Sequence, residues 1–267
     1  AIFMQEKKFI ADTNNEVKNE NQEDKKCEDV QLLLKDLAYG YDKVLLKDIN
    51  LSIKKGNKTL IVGTSGCGKS TLFYVLMRLL YPLKGNIFIQ GKNYDDLAEK
   101  SIREHFAVAF QEHHIFNLSI RDNFKMLYED ITDEEIYKSL ENVYLLDFVK
   151  QVGLNYIVGN DGNKLSGGQK HRLQLAICLA KQKDIILLDE PTAGLDIKTT
   201  NNICSQLMEK YQKQTMIVTS HDISLLRFFD DIIICGEEKI IEQGNIKKLL
   251  LREDRYLNKL IRYKNFI

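Results

Sequence analysis

The sequence predicts an α/β fold built on a mostly parallel sheet, and three observations carry that prediction. Short apolar runs that read as strands alternate with runs at helical spacing along most of the chain. A glycine-rich stretch, GTSGCGKST at 63–71, stands between one such strand and one such helix. Further on, the apolar run IILLDE at 185–190 ends in two carboxylates. A strand that delivers charge at its C-terminal end is how open α/β sheets present ligand-binding groups.

The elements follow in order. Residues 1–29 are dense in charges of both signs and poor in apolar residues, which reads as a flexible tail or linker ahead of a domain at 30–267. VQLLLKDLAY and VLLKDINLSI read as strands joined by GYDK, and NKTLIVG as a strand running into the glycine loop. STLFYVLMRLL has helical spacing, and GNIFIQG is a strand ending at Gly91. DEEIYKSLENVYLLDFVKQV, 133–152, reads as one helix with an acidic first turn. After KLSGGQ comes the helical run QKHRLQLAICLAKQ, then the strand at 185–190, a helix through TTNNICSQLMEKYQ, a strand at TMIVTSH and a helical run at ISLLRFFD. DIIICGEEKIIEQG reads as a hairpin. The terminal IKKLLLREDRYLNKLIRYKNFI places Leu249, Leu250, Leu257, Leu260 and Ile261 at helical spacing among many basic residues. That pattern fits a helix covering the core or touching a partner subunit, or a lipid-surface helix.

Bulk properties exclude several classes. Lys+Arg and Asp+Glu are equal at 38 each, so no net field favours nucleic acid, and none is expected as a partner. The five cysteines form no C-x-x-C pair, which fits a reducing compartment, and no metal is assigned to His113 and His114. The longest apolar candidate, TLFYVLMRLLYPL, is broken by Arg78 and Pro82 and falls short of a membrane span. The start AIFMQEKKFI has no signal-peptide layout, and its internal-looking Met4 suggests a chain cut from a longer one.

The glycine loop fits G-x-x-x-x-G-K-[ST] completely. Gly63, Thr64, Ser65, Gly66, Cys67 and Gly68 form its backbone, which wraps closely so that N–H groups face phosphate oxygens. Lys69 supplies a mobile charge for the outer phosphates, Ser70 a hydroxyl for Mg2+, and Thr71 the next helical position. Asp189 would reach the Mg2+ shell, and Glu190 is placed to polarise an attacking water as general base. Cys67, beside Lys69 and a helix start, is either a thiol of lowered pKa or a small residue filling a tolerant position.

These motifs, with Gln111 in AFQEHHIF, LSGGQ at 165–169, IILLDEPTAGLD at 185–196 and His221 in TSHD, resemble the nucleotide-binding domain of ABC transporters over residues 31–250. The resemblance implies a P-loop, RecA-like core with an antiparallel β subdomain and an inserted α-helical subdomain at approximately 112–168. It implies ATP and Mg2+ as cofactors, ATP hydrolysis, and head-to-tail dimerisation with a second such domain. Ser166, Gly167, Gly168 and Gln169 would then meet the partner's ATP, with Asp196 tuning the opposite site. By the same match Gln111 senses Mg2+ and the attacking water, and His221 contacts the γ-phosphate. Tyr39 is the first choice for stacking on adenine, with Tyr41 as competitor.

The resemblance further implies transmembrane domains as partners and a cassette on the cytoplasmic or matrix-equivalent side of a membrane. HHIFNLSIRDNF and VGNDGNKLSGGQ resemble exporters, although Asn160 replaces an expected glutamate. DEPTAGLD and TSHD are commoner in importer subunits, and Ile177 stands where arginine is usual. An exporter domain is therefore expected, with an importer subunit or a soluble non-transport ABC ATPase as the alternatives.

Overall fold

A computed structural model of the chain describes residues 29–111 and 115–264. The expected tail up to residue 28, together with His113 and His114, lies outside the described residues.

Among the described residues, ten strands divide into two sheets. The first is antiparallel, in the order β2-β1-β4-β5, from β1 (Val30–Gly40), β2 (Val44–Lys54), β4 (Lys84–Ile89) and β5 (Lys92–Asn93). The second runs β10-β9-β3-β8-β7-β6, from β3 (Lys58–Gly63), β6 (Phe106–Ala109), β7 (Ile185–Asp189), β8 (Thr215–Ser220), β9 (Asp231–Cys235) and β10 (Ile240–Asn245). Every pairing in the second sheet is parallel except the β9–β10 hairpin.

Alternation along the central strands sorts their side chains onto two cores. Leu60, Val62, Ile186, Leu188, Met216, Val218, Ile232 and Ile234 face one cluster, shared with the helices between β6 and β7. Their chain neighbours Ile61, Ile185, Leu187, Ile217, Ile233 and Cys235 face the other, shared with the antiparallel sheet. Because successive side chains on a strand point to opposite faces, a sheet covered on both sides needs unbroken apolar runs. The five residues of β7 are accordingly all buried.

Nine α-helices complete the described fold. They are α1 (Lys69–Leu76), α2 (Glu99–Glu104), α3 (Ile120–Lys125), α4 (Asp133–Glu141), α5 (Leu146–Val152), α6 (Gly167–Leu179), α7 (Ile197–Lys210), α8 (Ile246–Leu250) and α9 (Tyr256–Lys264). Helices α3 to α6 occupy the stretch between β6 and β7 and form the inserted α-helical part.

Three helical expectations are corrected. The run at 133–152 is two helices, because Tyr144 takes a left-handed backbone with φ 56°. The helix after the glycine loop stops at Leu76, and left-handed Arg78 turns the chain (φ 54°). Arg78 is buried there, paired with Asp95 and lying over the rings of Tyr81 and Tyr94. The C-terminal pattern is likewise two helices, α8 and α9. Leu249 and Leu257 are buried and Leu260 and Ile261 pack against the first core, so these four cover the core, while Leu250 is exposed. Burying one such leucine contributes about 1.5–3 kcal/mol.

Candidate active site

The cleft forms where the parallel strands end. Strand β3 runs into the glycine loop, whose Gly66 (φ 80°) and Gly68 (φ 100°) adopt left-handed backbone that β-carbon-bearing residues resist. Gly68 also sits tightly, since a β-carbon there would stand 3.2 Å from the Leu45 Cβ and 3.4 Å from the Tyr39 ring. It caps α1, so the unpaired N–H groups of the first turn face the cleft. Lys69 is buried and donates from Nζ to the carbonyls of Gly63 (2.9 Å) and Thr64 (3.1 Å).

Strands β7 and β8 bring the acidic groups. Asp189 and Thr219 are register partners, and the Thr219 hydroxyl donates to Asp189 Oδ1 at 2.5 Å. The Glu190 N–H donates to Thr219 Oγ1 (3.0 Å) and its carbonyl (3.2 Å), holding Glu190 in a left-handed conformation, φ 50°. That strained backbone costs on the order of 1 kcal/mol and aims the carboxylate into the cleft. Glu190 Oε2 lies 3.0 Å from His221 Nδ1, with the glutamate side chain 10% and the histidine 72% exposed.

The structure therefore gathers most of the expected residues. Ser65, Gly66, Gly68, Lys69, Ser70, Thr71, Gln111, Asp189, Glu190 and His221 line one cleft of about 340 Å³. The Ser70 hydroxyl, the Asp189 carboxylate and the Gln111 amide are hard oxygen donors, a set that suits Mg2+ completed by phosphate and water.

Two expected groups stand apart, and one is corrected. Ser166, Gly167, Gly168 and Gln169 open helix α6 and are not among the lining residues of that cleft. Ser166 accepts the Gln169 N–H while the Gln169 side chain accepts the Ser166 N–H, a reciprocal cap. Asp196 caps α7 by accepting the Thr199 N–H at 3.0 Å, and the Thr199 hydroxyl, with that N–H, holds its carboxyl below the usual range. The correction is Tyr39. Its ring is fully buried, and its hydroxyl donates to the Gly68 carbonyl at 3.1 Å, leaving no face for a base. Burial also pushes its phenol pKa well up. Tyr41, just beyond β1, is 60% exposed.

Two supporting residues escaped sequence reasoning. Thr219 could have been found from the alignment of TSH beside LLDE in a parallel pair. Buried His171, on α6, hydrogen-bonds through Nε2 to the carbonyl of Pro191, tying that helix to the residue after Glu190. Nothing in its spacing signals that contact.

Comparison with known proteins agrees with this arrangement. Residues 46–193 match the family model described as ABC transporter. The Glutathione/L-cysteine transport system ATP-binding/permease protein CydC of Escherichia coli is 34% identical over 92% of this chain and 44% of its own length. The Multidrug resistance protein pgp-1 of Caenorhabditis elegans is 36% identical over 80% of this chain and 16% of its own. A solved structure of a bacterial Atm1-family ABC exporter with ATP bound superposes with a TM-score of 0.82 at 28% identity, over 88% of this chain and 42% of that one. This chain thus spans less than half the length of these relatives, and among its described residues no helix is long and apolar enough to cross a membrane. The chain belongs to the ABC transporter family, as an ATPase domain.

Proposed function

We propose that this domain hydrolyses ATP between two copies of itself packed head to tail and so drives export through transmembrane domains. The phosphate loop of one copy and the LSGGQ loop of the other would enclose each nucleotide. The observation that carries this reading is the separation within one chain: a second glycine-rich helix start, around Ser166, stands apart from a cleft that already gathers Lys69, Asp189, Glu190 and His221.

Each residue then has a task. The loop amides and Lys69 hold the phosphates, and Ser70, Asp189 and Gln111 would hold Mg2+, which neutralises phosphate charge. Glu190 accepts the proton of the attacking water, its position kept by the two hydrogen bonds to Thr219. His221, beside that carboxylate, orients toward the terminal phosphate. Tyr41 takes the adenine-stacking role first considered for Tyr39, since its ring is the one left open beyond β1. The cassette comprises residues 30–267, with a helical lobe at about 112–168 that, with the Gln111 segment, transmits closure to the membrane domains.

Glu190→Gln tests the reading. With saturating Mg-ATP the variant should accumulate as an ATP-bound dimer by analytical ultracentrifugation. A variant that binds ATP yet sediments as a monomer at all concentrations would contradict it.

A further inference from the structure

Two thiols meet beneath the phosphate loop. Strand β3 pairs in parallel with β9 so that Gly63 and Cys235 are register partners. The loop then folds back, with the Cys67 N–H donating to the Thr64 carbonyl at 3.3 Å, which returns Cys67 to the same spot. Both cysteines rest on the bare α-carbon of Gly63. A β-carbon there would stand 2.7 Å from Cys67 Sγ and 3.0 Å from Cys235 Cβ. The two side chains thus share one small space beside Gly63, and both thiols are free.

Their chemistry is unequal. The neighbouring Cys235 thiol lowers the Cys67 pKa, and the Lys69 ammonium and nearby amides lower it further. Cys235 shifts the other way, because of the neighbouring Cys67 thiol and because it is buried. Burial alone pushes Cys178 up to about 12, and it is the first cause that pushes Cys204 up to about 11. Cys67 is buried between Gly66 and Gly68, which both line the cleft.

We propose that Cys67 and Cys235 are a site of reversible oxidation, at which a peroxide closes a disulfide across the base of the phosphate loop. The Cys67 thiolate attacks one peroxide oxygen and breaks the O–O bond, giving a sulfenic acid and hydroxide. The Cys235 thiol then displaces the sulfenic hydroxyl as water, forming the S–S bond. In sum two thiols and one hydrogen peroxide give one disulfide and two waters, and a dithiol reductant reverses the change. The bond ties the loop to β9 and displaces the backbone that positions Lys69. The effect on turnover rests on the nucleotide reading above, whereas the cross-link itself does not.

The test treats the protein with hydrogen peroxide, blocks remaining thiols and maps cysteine peptides by mass spectrometry. A Cys67–Cys235 peptide should appear, ATP hydrolysis should fall at least about tenfold, dithiothreitol should restore it, and bound Mg-ATP should slow the cross-link. Cys235→Ala should keep its basal activity and yield no reversible cross-link at Cys67. Absence of the linked peptide in folded protein whose Cys67 becomes sulfenic or sulfinic would overturn the proposal. So would a quantitative cross-link that leaves hydrolysis unchanged. A cross-link that forms in protein binding no ATP at all would support the thiol pair while removing the nucleotide reading.

Discussion

The two glycine-rich loops differ in what they owe to their own chain. At 63–71 the glycines answer to internal constraints: Gly66 and Gly68 have left-handed backbone, and Gly68 touches Leu45 and Tyr39. At 165–169 no such constraint operates. Gly167 and Gly168 have no left-handed backbone, and among the described residues nothing lies within 4 Å of a β-carbon placed on Gly167. A β-carbon on Gly168 would find only ordinary contact with Leu195 at 3.7 Å. Alanine would even favour the helix that these residues begin. The first loop is glycine-rich because of how this chain folds. On the proposed reading, the second is glycine-rich because a partner's nucleotide approaches it from outside, which is the physical content of the dimer proposal.

Substitutions sharpen that contrast, and the largest effect is expected at the chemistry itself. Glu190→Gln should lower ATP turnover about 10²- to 10⁴-fold, the range of a lost general base, while leaving ATP affinity close to unchanged. A steady-state assay with a binding isotherm checks both. Gly68→Ala comes next. It forces a β-carbon into left-handed backbone and should cost roughly 1–2 kcal/mol in denaturant unfolding, together with nucleotide binding. Gly167→Ala should do the opposite to stability, holding it or raising it by up to about 1 kcal/mol, while hydrolysis still falls. If Gly167→Ala is as active as the parent, the contrast between the loops has no functional meaning.

The legibility of the molecule follows the same division. The phosphate loop, the carboxylate-bearing strand and the parallel core were readable because each requires particular residue types at fixed spacing. Tyr39 and Tyr41 were not separable. They share one face by alternation, and only the end of β1 at Gly40 leaves one buried and the other open. The breaks at Arg78 and Tyr144 carried no glycine or proline, so left-handed residues held by surrounding packing passed for helix. The LSGGQ loop was legible only through resemblance, since its cap alone is an ordinary helix start.

A smaller prediction separates the two reciprocal caps. Thr132–Glu135 at the start of α4 uses a carboxylate, and Ser166–Gln169 uses an amide. The ion pair with Lys181, then the hydrogen bond from the Thr132 N–H, holds the Glu135 pKa down at about 2. A carboxyl lowered on folding stabilises above its unfolded pKa, about 4.3, and loses that contribution as pH falls through its folded value. Glu135→Gln should therefore flatten the acid limb of stability between about pH 5 and pH 2. Gln169→Glu should steepen that limb by adding a second such carboxylate. Thermal melts across that range read both changes.

Subunit complementation tests the shared nucleotide site most directly. A chain carrying Lys69→Ala and a chain carrying Ser166→Arg should each be inactive alone. Mixed, they should recover hydrolysis, because one intact phosphate loop then faces one intact Ser166. No recovery, with both variants folded and dimerising, would contradict a site built from two chains.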